Sequence, residues 1–527
     1  MGLFHAVSMR VMEPFYITTP IYYVNDRPHI GHAYTSVACD VLARFMRLSG
    51  RKVKFLTGTD EHGQKVEKSA AAAGVAPKAF VDDVSQHFRE LTQLMNISND
   101  DFIRTTEPRH IKGAQGLWKM MQEKGHIYLG SYAGWYAVRD EAFYGESELV
   151  DGKAPTGAEV EWVEEPSYFF KLSAFQDKLL AFYEQHPDFI MPASRRNEVI
   201  SFVKGGLKDL SVSRTTFTWG IPVPGDEKHI MYVWLDALTN YLSALGFPDT
   251  QAPEFKTFWP GMHMVGKDIL RFHAVYWPAF LMAAELPCPT RVFAHGWWTI
   301  EGEKMSKSLG NVVVPAELVA QYGLDQTRYF LMREVPFGND GNFARERMTS
   351  VINSELANTV GNLVQRSLSM IHKNCGGLVP DAQGVARDEL DMAFLAKAQV
   401  TDAATPVEVM KRYYDCRFHE ILADIVAIAT EANAYIDTKA PWKQRKTDEK
   451  LMQATLYHLV EAIRCIAIML QPFMPQASAK ILTTLGYDEA RARAGIPFAE
   501  LAPQHAIKPG TQLLPPEPLF PKIELAA

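Results

Sequence analysis

The residue types best suited to chemistry sit in two short motifs far apart in the chain, Pro28-His29-Ile30-Gly31-His32 and Lys304-Met305-Ser306-Lys307-Ser308. The first sets two imidazoles on one side of a helix's first turn, around a glycine that lets a ligand approach the backbone. Imidazole N–H groups can donate to phosphate oxygens as charge builds at a reacting phosphorus. The second sets two ammonium groups in a loop bracketed by Gly302 and Gly310. A lysine is a compact donor able to follow a moving phosphate, which suits Lys304 and Lys307 to departing pyrophosphate. Taken singly, the first could be a pair of ordinary histidines at a helix start and the second a basic surface loop. Together they describe two halves of a device for handling ATP, and the chemistry they fit is adenylyl transfer.

The neighbouring sequence says which elements must hold these groups. Phe15-Tyr16-Ile17-Thr18-Thr19 reads as a short buried strand, rich in β-branched and aromatic residues and stopped by Pro20. Beyond the polar corner Asn25-Asp26-Arg27-Pro28, the residues Val37, Val41, Phe45 and Leu48 share one helical face, and Gly50 closes the segment. His29 and His32 therefore lie at a strand-to-helix junction, where free N–H groups and the positive end of the helix dipole attract phosphate. Val53-Lys54-Phe55-Leu56, Met264-Val265 and Val292-Phe293-Ala294 read as further strands. No GxGxxG and no GxxxxGK[ST] stands near them, so the sheet is neither the dinucleotide-binding nor the P-loop version of the doubly wound architecture.

Further blocks occur in a fixed order with these motifs: Pro20-Ile21-Tyr22-Tyr23-Val24-Asn25, Thr57-Gly58-Thr59-Asp60-Glu61-His62-Gly63, Val233-Trp234-Leu235-Asp236-Ala237, Val265-Gly266-Lys267-Asp268-Ile269 and His295-Gly296-Trp297. In this set the chain resembles the class I aminoacyl-tRNA synthetases, and within them the bacterial-type methionyl branch, from about Phe15 to the C-terminus. The resemblance implies an α/β fold: a doubly wound, parallel-sheet nucleotide-binding catalytic domain split by an insertion, then an all-α anticodon-binding helix bundle. It implies a catalytic set of His29, His32, Lys304 and Lys307. It implies ATP contacts from His29, Gly31, His32, Gly266, Asp268, His295, Trp297 and Lys307, with Asp268 on the ribose hydroxyls and His295 and Trp297 bordering adenine. Asp268 could instead simply pair with Lys267. The chemistry implied is attack of the methionine carboxylate on the α-phosphorus of ATP, with Mg²⁺ neutralising phosphates, and then transfer to the terminal ribose hydroxyl of tRNA(Met), the initiator included.

A methionine side chain is unbranched and polarisable and binds well among aromatic and sulfur-compatible groups. The family pocket maps onto Ile21, Tyr23, Trp234, Ala237, Leu238, Tyr241, Ile269 and His273. Asp60, at the carboxyl end of a strand where ligands of open α/β sheets bind, can hold the α-ammonium. As an isolated residue it would equally suit a helix N-cap, and Trp, Tyr and Ile at such spacing would equally suit a core.

At 527 residues and 47% hydrophobic, the chain can hold two to four domains with sizeable cores. The expected division is an extension at 1–13, a catalytic domain at 14–124 and 220–300, an insertion at 125–219, a mobile-loop and linker module at 301–350, and a helical anticodon-binding domain at 351–527. Every apolar run is interrupted by charge, so no membrane partner is expected, and the first dozen residues lack a signal-peptide core. Met9 or Met12 could be the natural start. The five cysteines are scattered without a CxxC, which fits a reduced cytoplasm and argues against disulfides and a thiolate knuckle. The net charge of −7 neither supports nor excludes a nucleic-acid partner.

Many methionyl enzymes carry zinc on cysteine-rich knuckles in the insertion. Here that stretch offers Tyr132-Ala133-Gly134-Trp135-Tyr136 and Glu141-Ala142-Phe143-Tyr144 without a ligand set. It resembles the zinc-free branch, in which packing must do what metal does elsewhere, and no structural zinc is expected. An insertion near a hundred residues is too short for the editing domain that leucyl, isoleucyl and valyl relatives need, because a pocket separates one methylene by only about 1–3 kcal/mol. A cysteinyl relative would need a metal, so methionine is the expected substrate. Downstream, Asn358, Asn362 and Arg366 recur every fourth residue as one polar stripe, which by itself reads as a solvated helix face. In the family that stripe, with a tryptophan placed here by Ala440-Pro441-Trp442, reads a CAU anticodon. The Pro-rich tail from Leu513 to Pro521 should pack back as an extended segment, and without an appended β-rich domain a monomer is expected. A synthetase for another amino acid and a catalytically inert RNA-binding relative stay open as rivals.

Overall fold

The strands that end near the two-histidine motif are buried end to end: Phe15–Thr18, Met262–Gly266 and Arg291–His295 have every residue inside. Strands buried on both faces belong to parallel sheets covered by helices, and every pairing in this sheet is parallel. The computed structural model describes residues 13–24, 27–305, 310–398 and 405–524. These fall into two compact units, one made of Pro14–Cys39 with Val53–Gly296 and the other of Asp40–Lys52 with the chain from Trp297 onward.

In the first unit the sheet runs Tyr22–Tyr23, Val53–Asp60, Phe15–Thr18, Met262–Gly266, Arg291–His295, Ile190–Met191, and Asp101–Arg104 pairs with Val53–Asp60. Its carboxyl ends are thus Thr18, Asp60, Gly266 and His295. The short outer strand Ile190–Met191 falls inside the stretch expected to be inserted, yet it pairs with Val292 and Phe293. The reason is burial. Leu179, Tyr183, Val199 and Val203 of the flanking helices join the same core as Ile190 and Val292. The same stretch also contributes to a four-stranded antiparallel sheet of Ile127–Ala137, Ala142–Tyr144, Glu161–Phe170 and Leu210–Ser211, whose Ile127 and Phe170 join that core. Beside it the Arg214 guanidinium lies 4.5 Å from the Phe143 ring centre, 4.8 Å from that of Tyr232 and 5.5 Å from that of Tyr136.

In the second unit, helices dominate. Arg328, fully buried, donates to Asp40 Oδ2 at 2.7 Å and to the Pro472 and Phe473 carbonyls at 3.0 and 2.9 Å. The helix Glu449–Leu470 is apolar and long enough to cross a membrane by composition alone, but 83% of its most apolar window is buried inside the protein. Its Glu461 and Arg464 pair within that core, so it is the central helix of the bundle. The helical run Arg345–Cys375 widens to π geometry over Ile352–Gly361. The tail returns as expected: Leu513 N donates to the Gly377 carbonyl at 2.8 Å, and Ile523 N meets Asn353 Oδ1 at 2.9 Å.

Candidate active site

The helix Ile30–Leu48 starts just after His29, and its first turn fixes both imidazoles from the backbone. The His29 amide donates to His32 Nδ1, and the Gly31 amide donates to His29 Nδ1, each at 3.0 Å. Because both rings accept through Nδ1, each carries its proton on Nε2, which can donate. Burial pushes His29 down to about 4, and burial with the neighbouring His29 holds His32 well below the usual imidazole range, so both are neutral donors at physiological pH. The ring centroids lie 4.0 Å apart. A Cβ on Gly31 would sit 2.8 Å from His29 Cε1 and 3.1 Å from Nδ1. The glycine therefore seats the imidazole itself, a second reason for it beside access to the backbone.

At the other carboxyl ends, Asp268 folds back over Gly266, where an added Cβ would stand 2.5 Å from its Oδ1. His295 gives its Nδ1–H to the Gly296 carbonyl at 2.8 Å, leaving Nε2 against the Thr35 hydroxyl at 2.7 Å. Thr35 is on the helix that begins with the histidine pair, so His295 and that helix are directly joined.

A third cluster lines the helix Val233–Ser243. The Tyr241 hydroxyl donates to His273 Nε2 at 2.7 Å, and His273 Nδ1–H donates to the Ile269 carbonyl at 2.9 Å. Burial pushes His273 down to about 4, which keeps it neutral and preserves that polarity. Trp234 stacks on Phe272 with centroids 3.9 Å apart and meets His273 edge-on at 5.9 Å. Ala237 and Leu238 are buried on the same helix, and Ile21 packs against the same core. Asp60 pairs in register with Tyr23 across neighbouring strands. It is 8% exposed, and its Oδ1 is buried with no hydrogen-bond partner among the described residues. Burial, then the charges of Asp236 and Glu141, hold its carboxyl well above the usual range. A buried, unpartnered carboxylate oxygen invites a cation.

Two profiles of known families cover nearly the whole chain. The one described as "tRNA synthetases class I (M)" matches residues 15–161 and 148–368, and the one described as "Anticodon binding domain of methionyl tRNA ligase" matches 380–526. The chain belongs to the class I methionyl-tRNA synthetases. Among its relatives, the methionine–tRNA ligase of Rickettsia bellii is 58% identical over 97% of this chain and 99% of its own. That of Brucella suis is 55% identical over 97% and 98%. A solved structure of the Mycobacterium tuberculosis methionyl-tRNA synthetase in complex with methionyl-adenylate superposes with a TM-score of 0.92, at 49% identity over 97% of this chain and all of that one.

The synthetase thus brings His29, Gly31, His32, Gly266, Asp268 and His295 to the carboxyl ends of one sheet, with Asp60 and Tyr23 on the same edge. Trp297, 40% exposed, belongs to the other unit, where its amide donates to Asp340 Oδ1 at 2.8 Å. Lys304 pairs through its backbone with Thr299, and Lys307 lies outside the described residues. In the helical unit Asn358 is exposed, Asn362 donates to Asn433 Oδ1 at 3.2 Å, and Arg366 donates to Asp437 Oδ1 at 2.7 Å. Trp442, 45% exposed, opens the helix Pro441–Thr447 just after Ala440 turns left-handed at φ 45°.

Three supporting groups escape a reading by motif alone. Asp236 accepts from His62 Nδ1–H and His110 Nε2–H, both at 2.7 Å and all buried, tying the Asp60 loop to the helix of Trp234 and Tyr241. Against burial, which would raise it, those histidines hold Asp236 down to about 2. Arg104 grips both oxygens of Glu61 at 2.6 and 3.0 Å. Glu141, from the insertion, accepts from the Tyr23 hydroxyl at 2.7 Å. Asp236 stands in the quoted block Val233-Trp234-Leu235-Asp236-Ala237 and Glu141 opens the quoted stretch Glu141-Ala142-Phe143-Tyr144, but neither block tells which partners they meet, and His110 carries no signal.

Proposed function

We propose that the first unit activates L-methionine by adenylyl transfer in the arrangement built above. The enzyme is a methionine–tRNA ligase: a carboxylate oxygen of methionine attacks the α-phosphorus of ATP, the bond to the β-phosphate oxygen breaks, and pyrophosphate leaves. The 2′- or 3′-hydroxyl of the terminal tRNA ribose then attacks the acyl carbon and AMP departs. No side-chain nucleophile is needed, so catalysis consists of positioning and charge stabilisation. His29 and His32 donate Nε2–H to the phosphates, and Asp268 and His295 hold the nucleoside. Lys304 and Lys307 act on the departing pyrophosphate, and Trp297 acts on adenine. Asp60 takes the α-ammonium, and Tyr23, Ile21, Trp234, Ala237, Leu238, Tyr241, Ile269 and His273 enclose the thioether side chain.

The observation that carries the amino-acid half is the buried, unpartnered Oδ1 of Asp60 beside Tyr23. Among the described residues no three His, Cys, Asp or Glu side chains are arranged to hold a metal ion. Mg²⁺ bound with ATP would neutralise charge on its phosphates. The insertion contains no cysteine, and aromatic packing around Arg214 supports a fold that needs no zinc. Asn358, Asn362, Arg366 and Trp442 read the CAU anticodon of tRNA(Met), with the indole as a stacking face. The protein works as a cytoplasmic monomer without a membrane partner, and the division at 1–13, 14–124 with 220–300, 125–219, 301–350 and 351–527 describes its functional modules.

The test is ATP–pyrophosphate exchange without tRNA, offering methionine, leucine, isoleucine, valine and cysteine in parallel. Exchange with methionine alone, abolished in Asp60→Ala and reduced in His32→Ala, is expected. Exchange with another amino acid, or a methionine KM indifferent to Asp60, overturns the pocket.

A further inference from the structure

The insertion sends one side chain into the amino-acid site. The turn between strands Ile127–Ala137 and Ala142–Tyr144 ends on Glu141, which adopts the left-handed region at φ 49° and is only 7% exposed. Its Oε1 receives the Tyr23 hydroxyl at 2.7 Å. The same oxygen lies where a Cβ on Gly63 would stand, 2.3 Å away, and Gly63 itself has φ 112°. A side chain at 63 would therefore both strain the backbone and collide with the carboxylate. Tyr23 is the register partner of Asp60, and the Lys65 ammonium sits 5.5 Å from the Tyr23 ring centre. The far end of the insertion docks on the same loop, because Trp219 donates its indole N–H to the Glu61 carbonyl at 2.6 Å and its carbonyl accepts the Gly63 amide at 3.0 Å.

We propose that Glu141 is a positioning residue for methionine: its carboxylate fixes the Tyr23 hydroxyl and seals the Gly63 corner, so that the insertion shapes the amino-acid pocket. The inference rests on the reading of Tyr23 and Asp60 as methionine contacts. A tyrosine paired only to solvent would be free to swing its ring; held at its hydroxyl by a buried acceptor, it keeps one orientation beside Asp60. Burial pushes Glu141 up to about 7 despite the Tyr23 bond and Lys65, as expected of a carboxyl kept inside for its hydrogen bond. It acts through Tyr23 and touches no reacting atom.

The experiment is methionine-dependent ATP–pyrophosphate exchange by Glu141→Ala, Glu141→Gln, Glu141→Asp, Tyr23→Phe, Glu141→Ala with Tyr23→Phe, and Asp60→Asn. Glu141→Ala should raise the methionine KM about tenfold and leave the ATP KM within about twofold. Glu141→Gln should stay within about threefold of the parent, since its amide oxygen still accepts from Tyr23. The double variant should be no worse than the worse single, because the two residues form one contact. If Glu141→Ala melts below the assay temperature, Glu141→Asp poses the same question: its arm is too short for Tyr23, so it should raise the methionine KM. An unchanged methionine KM in the variants that lose the contact, a Gln variant as impaired as Ala, or additive effects in the double variant each overturn the proposal. An unchanged KM in Asp60→Asn as well would place the failure in the pocket reading itself.

Discussion

Replacing Gly31 by alanine separates activity from stability. Gly31 is the second residue of the helix Ile30–Leu48, where alanine is favoured over glycine by roughly 0.5–1 kcal/mol. An alanine Cβ there would meet His29 Cε1 at 2.8 Å and Nδ1 at 3.1 Å. Carbon atoms rest at about 3.5–4.0 Å, so the ring must retreat by at least about 0.7 Å. The half-buried imidazole can move at little folding cost. It would lose the bond it accepts from the residue-31 amide, and with it both the tautomer and the aim of Nε2–H. Misplacing a group by about 1 Å costs on the order of 10²-fold, and deleting one preorganised donor costs about 10²–10³. Gly31→Ala should therefore lower the exchange kcat about 10- to 100-fold, change the methionine KM by less than about twofold, and hold or raise Tm. Added to His29→Ala, Gly31→Ala should cost less than it does alone, because the ring it displaces is already gone. An unchanged kcat, or the full Gly31→Ala loss repeated on top of His29→Ala, would refute the seating of His29 by Gly31.

Other outcomes follow from the same geometry. With His29 near 4 and His32 held well below the usual imidazole range by burial, both rings are neutral near physiological pH, so exchange should show no limb from either ring between about pH 5.5 and 8. A limb near 6.5 that vanishes in His29→Ala would sink the neutral-donor account. Asp236, at about 2 against an ordinary 3.8, adds about 2 kcal/mol of stability above the ordinary carboxylate range, lost as pH falls through 2. Asp236→Asn should lower stability by about 2–4 kcal/mol in urea unfolding near neutrality, with the difference from the parent shrinking toward pH 2. Trp442→Ala should raise the KM for tRNA(Met) about tenfold or more, from a lost stacking surface of about 1–3 kcal/mol, and leave tRNA-free exchange untouched. Equal loss in both assays would show that the indole supports the fold and does not meet the anticodon.

Much of the catalytic sheet is legible in the residues. Phe15–Thr18 and the segments 53–56, 264–265 and 292–294 are legible as short apolar runs of a buried sheet, while the full strands Val53–Asp60, Met262–Gly266 and Arg291–His295 extend beyond them through polar residues that only pairing assigns. The outer strand Ile190–Met191 is not legible, since two residues carry no periodicity and only the burial of Leu179, Tyr183, Val199 and Val203 assigns it to the main core. The apolar helix Glu449–Leu470 is ambiguous in the same way until Glu461 and Arg464 are seen to pair inside the bundle.

The candidate site divides along the same line. Residue order alone determines the two ATP motifs, the blocks around Asp60, Trp234 and Gly266, and hence the family, because these groups act through backbone-proximal placement within a few residues of one another. Tertiary structure alone decides the contacts across long separations. It leaves Asp60 Oδ1 without a partner among the described residues, whereas the Nε2 protons of His29 and His32 are set locally, by amides two and three residues away. It joins Asp236 to His62 and His110, and it carries Glu141 from the insertion to Tyr23. Such pairs depend on which buried polar atoms meet once water is excluded, and a linear pattern holds no record of that meeting.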